Sequence, residues 1–273
     1  MTTTRKKTGT VKAVKKTASV GVAKKTTSAK VAKKIASKSV PKKTRLTKTR
    51  AKKKDAPSGP LVSVVMPAHN AADFIDDTIH SVLGQSYENW ELIIVDDHST
   101  DKTLEVVRQF KCEKIKVIAL ARNTGVTKAR NRGVSAARGR YICFLDADDL
   151  WQPSKLKHQV EFMKEKDCAF SFTSYVFADA KGRPNGKVVR VPSEITYRQA
   201  LRNTTIWTST VMLDMKKLSK KDLKMPDVKS EDLAPWCKVL EKVDFAFGMK
   251  EVTVIRGYEA GISFWKKMMR GVR

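Results

Sequence analysis

WELIIVDDHSTDKTLEVVRQF, Trp90 to Phe110, is the stretch that decides the fold. A short apolar, β-branched run ends abruptly in Asp96 and Asp97, the pattern of a buried strand with an acidic end. Ser99 or Thr100 then offers an N-cap, and the residues that follow continue as a helix. The same unit repeats on both sides. Upstream, LVSVVMP (Leu61–Pro67) is a β-branched run stopped by proline, and Phe74, Ile75, Ile79, Val82 and Leu83 follow at helical spacing. Downstream, IKVIAL (115–120) is a third strand. TGVTKARNRGVSAARG (124–139) is a small-residue helix closed by Gly139, and YICFLD (141–146) is a fourth strand. Four strands alternating with helices through short connections predict an α/β fold, a mostly parallel sheet with helices on both faces.

Beyond Pro153 the pattern becomes mixed α+β. SKLKHQVEFMKEK (154–166) is an amphipathic helix, and CAFSFTSYVF and KVVRVP flank a Gly/Pro/Asn-rich turn as a hairpin. TYRQALRN (196–203) is a short helix and TTIWTSTVML (204–213) a hydroxyl-rich strand. SEDLAPWCKVLEKV (230–243) opens a helix on a carboxylate pair, and FAFG and EVTVIRGY are late strands.

The charge of +27 is unevenly spread. Residues 1–55 hold 20 Lys or Arg against one acid, Asp55, which leaves +8 for the remainder. This tail repeats Lys, Ala, Val, Thr and Ser without an aromatic residue, so it has too little apolar surface to offset its ordering entropy and is expected to be disordered. Residues 1–60 are read as tail and linker, 61–258 as the folded domain, and 259–273 as a basic amphipathic segment. The tail offers the same counter-charge to DNA or RNA phosphates and to an anionic membrane surface. The four cysteines form no CxxC pair and suit a reducing compartment. No apolar run reaches the ~20 residues of a membrane span. The expected location is the cytoplasm, with peripheral attachment at the inner face of the membrane.

Ligands of open parallel sheets bind beyond the carboxyl ends of the strands. Two acidic clusters fall there, Asp96-Asp97 and Asp146, Asp148 and Asp149. Single aspartates after strands serve turns and caps. Three in four positions repel one another unless a cation sits among them, so a hard divalent ion, Mn2+ or Mg2+, is the expected cofactor. A phosphatase-type Asp-x-Asp would follow the first strand and continue differently. The other familiar setting of Asp-x-Asp is a sugar-nucleotide transferase.

Taken together, VSVVMPAHNAADFI, ELIIVDDHSTDKT, NTGVTKARNRGVSAARGRYICFLDADDLW and SEDLAPW, in that order and spacing, resemble the family-2 glycosyltransferases, inverting enzymes of the A-type fold. The resemblance implies that Pro67, Ala68, Asn70, Asp96 and Asp97 line the nucleotide pocket, with His69 where the family often has an aromatic residue. Arg130 and Asn131 lie near base and diphosphate. Asp148 is the preferred direct metal ligand, Asp146 lies at the ribose and metal, and Asp149 supports them. Asp232, followed four residues later by Trp236, matches the catalytic base, although an acid at a helix start also serves the helix dipole. The implied donor is a nucleoside-diphosphate sugar, UDP- or dTDP-linked, and the implied acceptor a glycan or lipid-linked glycan. The processive members' Gln/Arg-x-x-Arg-Trp motif is absent after EDLAPW, which implies transfer of one sugar. The hydroxyl-rich segment Thr204–Thr210 resembles members that build surface polysaccharides. The competing reading, from the tail, is a nucleic-acid-binding protein with an inactive domain of this type; a metal-dependent phosphoryl or nucleotidyl transferase is a third.

Overall fold

The computed structural model describes residues 58–179, 182–202, 205–226 and 233–256. The basic tail up to residue 57, the Glu231-Asp232 pair and the segment 259–273 lie outside the described residues.

The expected alternation is present. In chain order the elements are β1 (Val62–Ala68), α1 (Ile75–Leu83), β2 (Trp90–Asp96), α2 (Thr103–Gln109), β3 (Ile115–Ala119), α3 (Val126–Ala136) and β4 (Tyr141–Phe144). There follow β5 (Asp149–Leu150), α4 (Lys155–Glu165), β6 (Phe170–Ala178), β7 (Pro184–Val189), β8 (Glu194–Ile195) and α5 (Tyr197–Ala200). A 3-10 turn at Thr208–Thr210, β9 (Met212–Asp214), α6 (Ala234–Leu240) and β10 (Ala246–Arg256) complete them. The strands form one sheet in the order β3-β2-β1-β4-β9-β6-β10-β5, with β7 on β6 and β8 on β10. Strands β3, β2, β1 and β4 are parallel. Strand β9 runs antiparallel to both β4 and β6. The chain therefore reverses its winding between β1 and β4, which is where an open α/β sheet forms a ligand crevice.

Side chains alternate across the pleat, so each strand feeds two cores. Val65, Ile93, Val95, Ile142 and Phe144 pack with α3 and α6 on one face. Val64, Met66, Leu92, Ile94 and Cys143 pack with α1, α2 and α4 on the other. Burial on both faces explains why the central strands read as unbroken apolar runs.

Four local expectations change. Helix α2 starts at Thr103, because the Asp101 carboxylate takes the Thr103 N–H at 2.9 Å; Ser99 and Thr100 are used elsewhere. The hydroxyl-rich segment is strand only at Met212–Asp214. Before it, the Thr210 hydroxyl and N–H both bond the Trp207 carbonyl, so a turn replaces ladder pairing. The two late strands are one, β10, with an irregularity between Met249 and Val252.

Gly139 does not cap α3 in a left-handed conformation, since α3 ends at Ala136 and extended Ala137 follows. The reason for glycine is proximity. A Cβ there would lie 2.7 Å from the Leu61 carbonyl oxygen and 2.7 Å from the Ser63 nitrogen. Beside it the Ser63 hydroxyl donates to Glu91 at 2.6 Å, and Arg138 donates through its backbone N–H at 2.8 Å and its Nε at 2.9 Å. Burial raises the Glu91 carboxyl, but these donors outweigh it and hold the group below its ordinary value.

Gly139→Ala is therefore expected to destabilise by about 1–3 kcal/mol through overpacking. Gly139→Asn, which a left-handed cap tolerates, is expected to cost at least as much. Urea midpoints of the two variants check this, and an Asn variant as stable as the native chain would restore the cap interpretation.

Candidate active site

The crevice is built from the ends of β1, β2 and β4. Pro67 and Ala68 close β1, buried beside Val95 and Asp96. The chain then turns at exposed His69 and Asn70, whose φ of 50° is in the left-handed region that Asn tolerates. The segment after β2 holds this turn. The Asn70 side-chain oxygen accepts the Thr100 N–H at 2.8 Å, and the Asn70 N–H donates to Ser99 Oγ at 3.0 Å. Ala71 and Ala72 donate to Thr103 Oγ1 at 2.7 Å and Asp101 Oδ2 at 3.1 Å. His69 Nδ1 lies 2.9 Å from the Asp97 carbonyl oxygen, and Asn123 reaches its ring.

The paired aspartates differ. Asp97 is buried, and its carboxylate accepts from Thr124 N at 2.8 Å, Thr124 Oγ1 at 2.9 Å and Gly125 N at 2.7 Å. It thereby fixes the turn that opens α3. Asp96 is also buried, but its Oδ2 accepts one long bond, from Ser99 N at 3.3 Å. Its Oδ1 has no hydrogen-bond partner among the described residues. A buried acceptor of this kind is costly unless a ligand answers it.

Helix α3 carries Arg130 and Asn131. Arg130 is buried and donates from its guanidinium to Asp146 Oδ1 at 2.6 Å, a charge-assisted bond across the β1–β4 crevice edge. Asn131 uses both ends of its amide on the backbone of Met225, at 2.9 Å and 2.8 Å. Its side chain thus clamps the segment before α6 onto α3.

The three acids after β4 sit in three environments. Asp146 is half-buried and paired with Arg130, and Asp148 is half-buried. Asp149 is 2 % exposed and accepts from the Ser209 hydroxyl and from Trp207 Nε1, the latter at 3.0 Å. Burial, followed by the negative charges of Asp148 and Asp146, pushes the Asp149 carboxyl well above its ordinary value. Asp149 therefore belongs to the support of the turn. No group of three His, Cys, Asp or Glu side chains with metal-holding geometry occurs among the described residues. The donor set present is a pair of carboxylates, which fits a hard divalent ion completing its shell with diphosphate and water oxygens.

Several of these contacts carry no sequence signal of their own. Ser209 Oγ accepts the Asp146 N–H at 3.0 Å, and its carbonyl accepts Trp151 Nε1 at 2.8 Å. Thr78 Oγ1 donates to the Ala147 carbonyl at 2.9 Å, and Ser81 Oγ accepts the Trp151 N–H at 3.3 Å. The Lys155 ammonium lies 3.6 Å from the Trp151 ring centre, fully buried, and that burial lowers its pKa to about 8. Trp236 is core, edge-on to Phe144 at 5.6 Å. Cys143 is buried core, its thiol raised by desolvation.

The sequence profile of glycosyl transferase family 2 matches residues 63–223. TuaG of Bacillus subtilis, named for teichuronic acid biosynthesis, is 46% identical over 195 residues, 70% of this chain and 77% of that protein. WfaP of Escherichia coli, a UDP-Glc:alpha-D-GlcNAc-diphosphoundecaprenol beta-1,3-glucosyltransferase, is 37% identical over 182 residues, 67% of this chain and 71% of its own. Among solved structures, S. aureus TarS 1-349 in complex with UDP-GlcNAc superposes with a TM-score of 0.61 at 23% identity over 72% of this chain and 59% of that one. The mannosyltransferase PcManGT from Pyrobaculum calidifontis, in complex with GDP-Man and Mn2+, gives 0.61 at 20% identity over 77% and 62%. The chain spans about three fifths of these solved chains, and the likeness to them is one of fold.

Asp97→Asn puts an amide where two N–H groups and a hydroxyl now donate. One or more buried donors lose their acceptor, and a loss of about 1–3 kcal/mol is expected. Urea denaturation reads it, and an unchanged midpoint would show that the Thr124–Gly125 turn does not depend on this carboxylate.

Proposed function

The chain belongs to glycosyl transferase family 2 and is a glycosyltransferase; from that premise we propose that it moves one sugar from a nucleoside-diphosphate donor, UDP- or dTDP-linked, to a hydroxyl of a glycan or lipid-linked acceptor in surface-polysaccharide synthesis, by an inverting displacement. The observation that carries this reading is the pair of buried Arg130 and half-buried Asp146 at the β1–β4 crevice, two residues before Asp148 and at the same sheet edge as Asp96 Oδ1, which has no hydrogen-bond partner among the described residues. The names of TuaG and WfaP support the acceptor class.

Asp148 and Asp146 would hold Mn2+ or Mg2+, which when bound supplies counter-charge to the leaving diphosphate. Arg130 adds a guanidinium charge whose position is fixed before substrate arrives, so no reorganisation is needed during reaction. Asp96 accepts a hydrogen bond from an N–H or hydroxyl of the nucleotide. Pro67, Ala68 and Asn70 form the wall at the end of β1. At the acceptor, Asp232 takes the proton of the attacking hydroxyl. The hydroxyl oxygen bonds to the anomeric carbon from the face opposite the leaving group. The anomeric carbon–oxygen bond breaks, and its electron pair leaves with the diphosphate. One base suffices, and no covalent enzyme intermediate forms.

Two variants separate these roles. Asp148→Asn is expected to abolish transfer from UDP-glucose or UDP-GlcNAc and to weaken Mn2+-dependent UDP binding, as chelator does to the native chain. Asp232→Asn is expected to lower turnover by about 10²–10⁴ while leaving UDP binding intact. Full activity in chelator would remove the metal from the mechanism, and equal losses of turnover and donor affinity in the Asp232 variant would remove its role as base.

For the tail we propose attachment to anionic membrane, where a polyprenol-linked acceptor resides. Its charge of +19 without aromatic residues suits phosphate contact without sequence reading. Among the described residues no helix is long and apolar enough to cross a membrane. A chain starting at Ala56 is expected to keep donor hydrolysis and to lose salt-sensitive sedimentation with phosphatidylglycerol vesicles. Retained sedimentation, or loss only of DNA binding, would reassign the tail.

A further inference from the structure

Ser209 is the only residue outside the turn itself that meets the Asp146–Trp151 turn at three points among the described hydrogen bonds. Its hydroxyl donates to Asp149 Oδ2 and accepts the Asp146 N–H at 3.0 Å, and its carbonyl accepts Trp151 Nε1 at 2.8 Å. The residue is fully buried. Its three contacts bracket Asp148, which none of them touches. From the other side of the turn, Thr78 and Ser81 supply one contact each, to the Ala147 carbonyl and the Trp151 N–H.

We propose that Ser209 is a positioning residue for donor binding. It acts through the backbone of the Asp146–Asp149 turn, whose orientation sets where the Asp146 and Asp148 carboxylates project. The proposal rests on the donor-site reading above. Asp146 is the first carboxylate of the pair, and its N–H is turned inward by the Ser209 oxygen, which fixes the direction of its Cα–Cβ bond. Asp149 does not hold that N–H itself: its own N–H bonds back to the Asp146 carbonyl at 3.1 Å, and its carboxyl accepts from Ser209 and Trp207. The hydroxyl thus links the carboxyl of Asp149, the buried anchor of the turn, to the backbone N–H of the residue that pairs with Arg130. Carboxylates that meet a cation or a diphosphate depend on supporting hydrogen bonds for their geometry, and loss of such a support typically costs 10–100-fold in affinity or activity.

The test is calorimetric titration of UDP, in excess MnCl2, into the full chain and into Ser209→Ala and Ser209→Cys, with the melting temperature of each recorded. Cysteine keeps the shape of serine with a somewhat larger atom, so it leaves no cavity, but bonds weakly. It therefore separates the hydrogen bonds from the cavity that alanine leaves, and it serves if alanine does not fold. The expected result is UDP binding about 10–100-fold weaker in Ser209→Ala, with Ser209→Cys between it and the native chain. Folded variants that bind UDP as the native chain does, whether or not they melt earlier, would overturn the proposal and leave Ser209 a purely structural residue. A native chain that binds no UDP with Mn2+ would instead overturn the donor reading, and this inference with it.

Discussion

A carboxylate buried at the end of a strand must be answered by donors or left to a ligand, and this constraint sorts the acids of the crevice. Asp97 receives three bonds from Thr124 and Gly125 and fixes the turn that opens α3. Asp149 receives two on Oδ2, from Ser209 and Trp207, and anchors the acidic turn. Asp146 has its guanidinium partner and a half-buried position at the rim. Among the described residues Asp96 has a single long bond and an unanswered oxygen. The more donors the chain supplies, the less an acid has to offer a ligand. The acids that receive the most donors hold the turns of the crevice in place before substrate binds, which is the condition for electrostatic stabilisation without reorganisation.

The parallel half of the fold was legible because its signal is local. Runs such as VSVVM and ELIIV are buried on both faces, and α1 buries Ile75, Ile79 and Val82 at helical spacing. The acids stood out because their clustering at strand ends is itself physically unusual. The division of labour among them was not legible. It depends on hydroxyls that arrive from elsewhere in the chain, such as Thr78 on Ala147 and Ser209 on Asp149, 69 and 60 residues away. A serine or threonine that bonds at such separation has no period and no composition to mark it. Gly139 looks like a cap in the sequence for a similar reason: the strand backbone that excludes a Cβ is more than 70 residues distant in sequence. The amide of Asn131, expected near base and diphosphate, is taken up by the Met225 backbone, a partner 94 residues on.

The change from parallel to antiparallel at β9 is what lets so distant a segment serve the crevice. A strand running parallel to β4 would begin at the opposite sheet edge, away from the acids. Strand β9 runs antiparallel, with Met212 beside Cys143 and Asp214 beside Tyr141. The residues just before β9 therefore fall beside those just after β4, and the 3-10 turn at Thr208–Thr210 meets the Asp146–Trp151 turn end to end. The polar composition of that segment follows from its place. A turn that must satisfy the N–H and carboxyl groups of a neighbouring acidic turn needs short hydroxyl side chains, which a regular strand would have left unused on a buried face. The mixed half of the sheet is thus more than an attachment to a nucleotide-binding half: its antiparallel strand β9 brings in the support that the acidic turn lacks within its own sequence.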